Sequence, residues 1–238
     1  MKKLPLIAIA TIIVGFSSCN FFGNCLQGEG LIVEQVITID TFDEIELEQK
    51  AEVYLKQASQ QKVTIEAPQN IIDLLLTEVS GGTWNIDFSR CTKTEEPIKI
   101  YIETNDIQEI TVEGSGKVFS EGLIESNELV LKINGSGLID LNVMVKELKT
   151  EISGSGDVNL IGETKLHKIE INGSGDIDSY DLISDESEIE INGSGNVKVN
   201  VSYALDVDID GSGDVYYIGN VKEISSQVNG SGKLNQEH

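Results

Sequence analysis

The sequence predicts an all-β fold, a right-handed parallel β-helix (solenoid) with coils of about 19 residues and a β-rich N-terminal cap. The first observation is a repeat. The triplet Gly-Ser-Gly occurs seven times, at intervals of 18 to 21 residues, beginning at Gly114, Gly135, Gly154, Gly173, Gly193, Gly211 and Gly230. A short, nearly constant period is typical of solenoids, in which each repeat forms one coil of a stack. The second observation is that β-branched and polar residues alternate around each triplet, which is the period of a strand with one buried face.

The residues flanking the triplet predict two strands in each coil. The position two before the first glycine is apolar in every repeat: Val112, Ile133, Ile152, Ile171, Ile191, Ile209 and Val228. A second apolar column lies four positions after that glycine: Val118, Ile139, Val158, Ile177, Val197, Val215 and Leu234. Glycine suits the corner between the strands because it reaches positive φ and lets neighbouring coils approach closely. The residue before each triplet is mostly Asn or Asp, which predicts a turn conformation there.

Four segments follow along the chain: a signal peptide at 1–18, a lipidated tether at 19–30, a β-rich capping region at 31–105 and the repeat β-helix at 106–238. The capping region lacks the triplet, and its strand candidates are 44–48, 52–56, 62–66, 84–88 and 98–103. Residues 70–76 fit either a short helix or an apolar connection. A cap is expected because a solenoid must cover the apolar end of its stack. Parallel crossovers are overwhelmingly right-handed, which sets the expected hand of the coils.

The first residues predict secretion and lipid attachment. Lys2 and Lys3 precede an apolar stretch at 4–15, and small residues then lead to Cys19. This order resembles a lipobox, in which Cys19 would carry lipid and become the mature N-terminus. An ordinary signal peptide cut near Ser18 is the alternative. The expected location is the outer membrane, either on its periplasmic face or at the cell surface, with the lipid as the membrane contact.

The net charge excludes one class of binding partner, and the cysteine count bears on disulfide formation. The formal net charge of −23 argues against nucleic acid as a partner, because its phosphates would be repelled. Cys25 and Cys91 remain once Cys19 is assigned to lipid. In an oxidising compartment they would form a disulfide or stay as two thiols, and the sequence leaves both open. No cofactor and no metal site is expected, because phosphate-loop, dinucleotide and zinc patterns are missing from the sequence.

Two rows of residues beside the triplets are candidates for binding or chemistry. The triplet serines would align as a row of hydroxyls able to dock a repetitive polymer such as a glycan, or an envelope protein: Ser136, Ser155, Ser174, Ser194 and Ser212. Asp157 and Asp176 occupy equivalent places in adjacent coils, about 5 Å apart, a separation suited to paired-carboxylate glycoside hydrolysis. Asp214 continues that column, and a solvated acidic ladder is the preferred interpretation. His167 shares a column with leucines, which favours a half-buried strand residue over a catalytic base.

Several segments resemble a known family. They are I-N-G-S-G-D-I at 171–177, F-D-E-I-E-L-E at 42–48, A-E-V-Y-L at 51–55 and D-V-Y-Y-I-G at 214–219. Together they resemble the auto-transporter adhesin head GIN domain, which is frequent in Bacteroidetes envelope lipoproteins. The resemblance implies a β-helix-like architecture at the cell envelope and supplies no catalytic or binding residues. The expected function is therefore a non-catalytic, lipid-anchored, adhesin-like binding or structural module. The alternative is a polysaccharide-active hydrolase or lyase that uses the acidic ladder.

Overall fold

The computed structural model describes residues 25–237, so the predicted signal peptide at 1–18 and the predicted lipidation site Cys19 lie outside the described residues. The fold is all-β, with a β-solenoid of about seven turns and a spacing near 19 residues, and the predicted fold class is confirmed. Strands and one short helix fill the part before the repeats: β1 Leu26–Gln27, β2 Ile32–Ile37, β3 Glu44–Leu47, β4 Ala51–Gln57, β5 Lys62–Pro68, α1 Gln69–Ile72, β6 Val79–Ser80, β7 Thr83–Ile86, β8 Thr92–Lys93 and β9 Ile98–Thr104. The repeats contain β10 Glu109–Gly114, β11 Lys117–Gly135, β12 Leu138–Gly154, β13 Asp157–Gly173, β14 Asp176–Gly193, β15 Val197–Gly211, β16 Asp214–Ile218, β17 Glu223–Gly230 and β18 Lys233–Gln236.

Each long strand covers two faces of the solenoid. In β12 the buried positions are odd-numbered up to Val145 and even-numbered from Leu148, so the alternation shifts by one residue where the chain turns. We call this turn the second edge, and the turn formed by the triplets the Gly-Ser-Gly edge. The first face holds the segments that follow each triplet, and the second face holds those that precede it.

The predicted apolar columns are the interior of the solenoid. On the second face Ile133, Ile152 and Ile171 are paired in parallel register, and on the first face Ile139, Val158 and Ile177 are paired likewise. All six side chains are at most 1% exposed. Burying an aliphatic side chain of this size contributes about 1.5–3 kcal/mol. Stacked ladders of Ile and Val therefore stabilise every coil against both of its neighbours.

The region before the repeats adds two coils to the same stack, in an order that differs from the chain order. β3 lies between β7 and β10 on the second face, and β4 lies between β9 and β11 on the first face, all in parallel register. Antiparallel strands finish this end: β5 pairs with β9, β2 pairs with β5, and β6 pairs with β7. In the segment 70–76, which the sequence left open, the helix α1 ends at Ile72, and the remainder is a turn followed by an isolated bridge between Leu75 and Phe88, so the segment is part helix and part connection.

Two features hold the N-terminal coils together besides the core. Cys25, just before β1, forms a disulfide with Cys91 in the connection between β7 and β8. On the outer side of the first face, the Tyr54 ring stacks between Tyr101 and Phe119, with ring centroids 5.1 and 5.3 Å away. Offset stacks of this kind add about 0.5–1.5 kcal/mol per pair beyond burial.

The prediction of a turn conformation at the Asn and Asp column before the triplets is wrong. Within residues 25–237 no non-glycine residue has positive φ, and the first glycine of each triplet takes that conformation instead. Each Asn is the second-to-last residue of its strand, and its side chain is exposed. Asn134 donates to Glu113 Oε1 at 2.6 Å, and Asn192 donates to Asn172 Oδ1 at 3.2 Å. The column is therefore a ladder of side-chain hydrogen bonds between coils.

Candidate functional site

The Gly-Ser-Gly edge is a row of identical corners connected by backbone hydrogen bonds. From the second triplet onward, the N–H of each triplet serine donates to the first-glycine carbonyl of the preceding coil, as Ser174 does to Gly154 O at 2.7 Å and Ser194 to Gly173 O at 2.8 Å. The side chains of these serines are exposed. At the end of the row Ser231 Oγ donates to Ser212 Oγ at 3.0 Å. The structure thus places the predicted hydroxyls in one line along the solenoid axis.

Both glycines of a triplet are required by the stacking of the coils. Gly173 has φ of 147°, and a Cβ there would lie 2.2 Å from Gly154 O. A Cβ at Gly175 would lie 2.4 Å from Gly156 O and 2.7 Å from Ile152 Cγ2. These separations are far below any tolerated contact, so no other residue fits either position. The serine between them contributes only its backbone to the stacking, and its hydroxyl is free to face solvent.

The acidic column beside this edge is connected by hydrogen bonds through Asn196. Asp157 and Asp176 are in parallel register on adjacent coils. Asp176 Oδ1 accepts from both the backbone N–H and the side-chain amide of Asn196, each at 2.9 Å. The Asp214 N–H in turn donates to Asn196 Oδ1 at 3.2 Å. Asn196 thus links the Asp176 carboxylate to the backbone of Asp214, and both Asp157 and Asp176 are exposed.

A second outward column completes a groove of about 640 Å³ on the first face. We call it the edge groove, and its polar lining includes Asp157, Asn159, Asp178, Lys198 and Tyr216. Lys198 Nζ donates to Asp178 Oδ2 at 2.9 Å, and this hydrogen bond raises the pKa of Lys198. The Tyr216 hydroxyl donates to Asp214 at 3.2 Å, and the charge of that carboxylate raises the Tyr216 pKa. Both residues thus keep their protons, and the groove offers donors and acceptors at fixed places.

The described residues contain no metal cluster, and their one histidine is enclosed. Among residues 25–237 no group of three or more His, Cys, Asp or Glu side chains is arranged to hold a metal ion. His167 lies inside the solenoid at 1% exposure, bonded to Thr150 Oγ1 at 3.0 Å, and burial lowers its pKa to about 3. It is more deeply buried than the sequence predicted. A fully enclosed imidazole cannot reach a ligand at the surface.

The second edge carries an apolar stripe that the sequence reasoning missed. Its members come from successive coils and are 36 to 49% exposed: Leu123, Met144, Ile161, Ile183 and Tyr203. They do not share one register column, because Asn142 lies between Leu123 and Ile161, and Glu163 lies between Met144 and Ile183. Met144 and Ile183 also line a groove of about 860 Å³ together with Lys146 and Lys165. The signal was present in the sequence as consecutive apolar residues, such as those at 143–145 and 182–183, which interrupt the alternation at the turn. The triplets mark only the Gly-Ser-Gly edge, so they do not predict exposed apolar residues at the second edge.

The fold is a parallel β-solenoid with two long, solvent-facing edges. Residues 41–221 match the family described as "Putative auto-transporter adhesin, head GIN domain". The chain belongs to this family, as the sequence motifs predicted. Membership in an adhesin family indicates association with the cell envelope or surface. Within the described residues no helix is long and apolar enough to cross a membrane.

Solved structures share the fold. A "putative adhesin" from Bacteroides fragilis is 22% identical with a TM-score of 0.84, over 89% of this chain and 100% of that one. A "putative lipid binding protein" from Parabacteroides distasonis is 24% identical with a TM-score of 0.74, over 90% and 99%. A "putative adhesin" from Parabacteroides merdae is 20% identical with a TM-score of 0.71, over 91% and 100%. No curated protein matches the sequence. At these identities the likeness concerns the fold alone.

Proposed function

We propose that this chain is a non-catalytic, lipid-anchored module of the cell envelope that binds a linear glycan along the Gly-Ser-Gly edge. The observation that carries the proposal is the row of exposed hydroxyls. Stacking requires both glycines of each triplet but only the backbone of the serine, and still every triplet has serine. A hydroxyl repeated at the strand spacing of about 4.8 Å suits a ligand that is itself a repeat of polar units.

The edge groove supports the same ligand class. Small-molecule and sugar sites combine a few fixed polar groups with an apolar or aromatic surface. Here the amide of Asn159, the ammonium of Lys198 and the phenol of Tyr216 lie beside the serine row. Membership in an adhesin family agrees with a binding role. The in-register Asp157 and Asp176 are interpreted as part of the polar lining, because Asp176 is already bonded to Asn196.

The test is an incubation of the chain from Asn20 onward with a panel of polysaccharides, recording both retained protein and released sugar ends. We expect retention without products. Tyr216→Ala should lower retention at least tenfold, whereas Tyr203→Ala, a tyrosine on the opposite edge, should leave it unchanged. Product release that Asp157→Asn abolishes would establish the alternative, a polysaccharide-active enzyme. Absence of both retention and products would remove glycan as the ligand.

Lipid attachment at Cys19 is a separate part of the proposal with its own test. The body would stay close to the membrane, because Cys25 follows six residues after Cys19 and is bonded to Cys91. In cells that make the whole chain, we expect the protein in the membrane fraction with the added mass of acyl chains. Cys19→Ala should move it to the soluble fraction. Membrane retention of that variant would refute anchoring through Cys19.

The apolar stripe on the second edge favours lipid as a second candidate ligand, the class also named for one of the similar structures. Met144 and Ile183 are exposed in a groove whose two lysines, Lys146 and Lys165, are outnumbered by acidic residues, so the surface suits lipid without net charge rather than an anionic membrane. Flotation with zwitterionic phospholipid vesicles tests this. Vesicle binding would support this candidate if Ile183→Ser weakens it and the control variant Val36→Ser leaves it unchanged. Flotation at background level would eliminate it.

A further inference from the structure

The last coil described, which contains β17, leaves one strand edge uncovered within residues 25–237. β17 is the last strand of the second face and pairs only with β15, so within residues 25–237 its outer backbone groups have no strand beside them. Every residue of β17 is exposed. Ile224 and Val228 occupy the interior columns but are 48% and 40% exposed, whereas Leu205 and Ile209 directly before them are at most 1% exposed. An open strand edge with apolar side chains is a template for further strand pairing.

The outward side chains of this strand differ from those of every coil before it. β15 presents Asp206, Asp208 and Asp210, and β17 replaces them in register with the uncharged residues Ser225, Gln227 and Asn229. In a chain with a net charge of −23, this removes the repulsion that two acidic coils would meet on contact. The end of the stack is thus the part of the second face best suited to contact another acidic protein.

We infer that the last coil is an interface through which two copies of this chain join end to end, β17 pairing antiparallel with β17 of the second copy. The sequence of the strand is self-complementary under that twofold operation. With Ser226 on the axis, Ile224 lies opposite Val228 of the second copy, so the apolar side chains cover each other. Two Ser226 hydroxyls meet at the centre, where they can share a hydrogen bond.

The same operation fails for the preceding coil and for the other end. In β15 it would place Asp206 against Asp208, a repulsive pair on each side of the axis. At the N-terminal end β2 offers an edge on the first face, and on the second face only the two-residue β6 lies beyond β7. Joining that end to β17 of another copy would be heterologous and would grow into a filament. A closed dimer through β17 uses one self-complementary surface and stops at two copies.

The first test is sedimentation velocity of the chain from Asn20 onward, which retains every described contact, from low micromolar to millimolar concentration. We expect a monomer–dimer equilibrium. Ser226→Asp should weaken it by about 100-fold or more, because two like charges would face each other about 5 Å apart. Ser136→Asp places the same charge on an exposed corner in mid-solenoid and should leave the equilibrium unchanged. Thermal unfolding of both variants should match the parent, since both serines are exposed.

A cysteine variant tests the geometry directly. Residues facing each other in an antiparallel pair have Cα atoms about 4.5–5.5 Å apart, within reach of a disulfide. Ser226→Cys should therefore yield a disulfide-linked dimer under mild oxidation, and Ser136→Cys should not. A monomer at all concentrations, a mass that keeps growing, a dimer unaffected by Ser226→Asp, or equal cross-linking of the two cysteine variants would each overturn the inference.

Discussion

The buried pair Thr150 and His167 should make the solenoid sensitive to mild acid. Both side chains are at most 1% exposed, and the Thr150 hydroxyl lies 3.0 Å from His167 Nε2. The ring is neutral because burial lowers its pKa from 6.5 to about 3. An unfolded chain takes up a proton at this residue as the pH falls through 6.5, while the folded chain does not until about pH 3. Stability contributed by neutral His167 is therefore complete above pH 6.5 and declines between these values.

The size of the loss follows from that difference in pKa. Each pH unit between the two values lowers the free energy of unfolding by about 1.4 kcal/mol. Between pH 7.5 and pH 5.0 the decrease amounts to about 2 kcal/mol. The double variant T150V/H167L removes the titrating group and gives both positions the apolar character of their columns, in which Leu148 and Ile169 are the register neighbours. The free energy of unfolding of this variant should not show this decrease between pH 7.5 and pH 5.0.

Urea unfolding at pH 7.5 and pH 5.0 measures the effect, followed by circular dichroism and by fluorescence of Trp84, the single tryptophan. The quantity of interest is the difference between the parent and T150V/H167L, because the carboxylates are common to both chains and cancel. The parent should lose about 2 kcal/mol more than the variant over this range. Equal losses in the two proteins would show that His167 titrates in the folded state, and the argument from burial would be wrong.

Three further predictions concern the stack. Gly175→Ala should lower the free energy of unfolding by about 3 kcal/mol or more, since its Cβ would overlap the neighbouring coil. Gly81→Ala, at a position with positive φ and open space, should lower it by only about 1 kcal/mol. Chemical denaturation of the two variants and the parent measures the difference. Reducing the Cys25–Cys91 disulfide, which closes 66 residues, should cost about 4 kcal/mol in a thermal melt, and the double serine variant should not respond to reductant. Tyr54→Ala should lower stability by about 2 kcal/mol through loss of two ring contacts, and Tyr54→Phe should retain most of it.

The register of the repeats could be predicted because its causes are local. Each triplet fixes a corner, and one apolar position on either side fixes which face turns inward. Ile152 and Ile171 therefore pair as the spacing indicated. A one-residue slip would put every buried side chain into solvent, so the pattern admits one alignment.

The order of the first coils could not be predicted, because it depends on which strands meet rather than on any local pattern. β3 and β4 precede β7 and β9 in the chain but lie between them and the repeats. Alternation marks each as a strand with a buried side and says nothing about its neighbours. The apolar stripe was missed for a related reason: a position such as Ile183 is recognised as exposed only when the second turn is located.

The outward column of the second face limits what the solenoid can bind there. Glu151, Glu170, Glu190 and Asp208 are stacked in register on successive coils. Like charges so close together oppose folding, and ion pairs such as Lys149 with Glu151 offset only part of this, because exposed pairs contribute little. Burial of the Ile and Val ladders outweighs that repulsion in the free energy of folding, and the acidic column itself does not stabilise the fold. Lys149 and Lys168 interrupt the acids on this face as well, but both are engaged in ion pairs, with Glu151 and Glu147. An acidic polymer would therefore be disfavoured on the second face, whereas the proposed contacts with an uncharged glycan lie at the Gly-Ser-Gly edge and in the groove beside it, where Lys198 and Tyr216 are found.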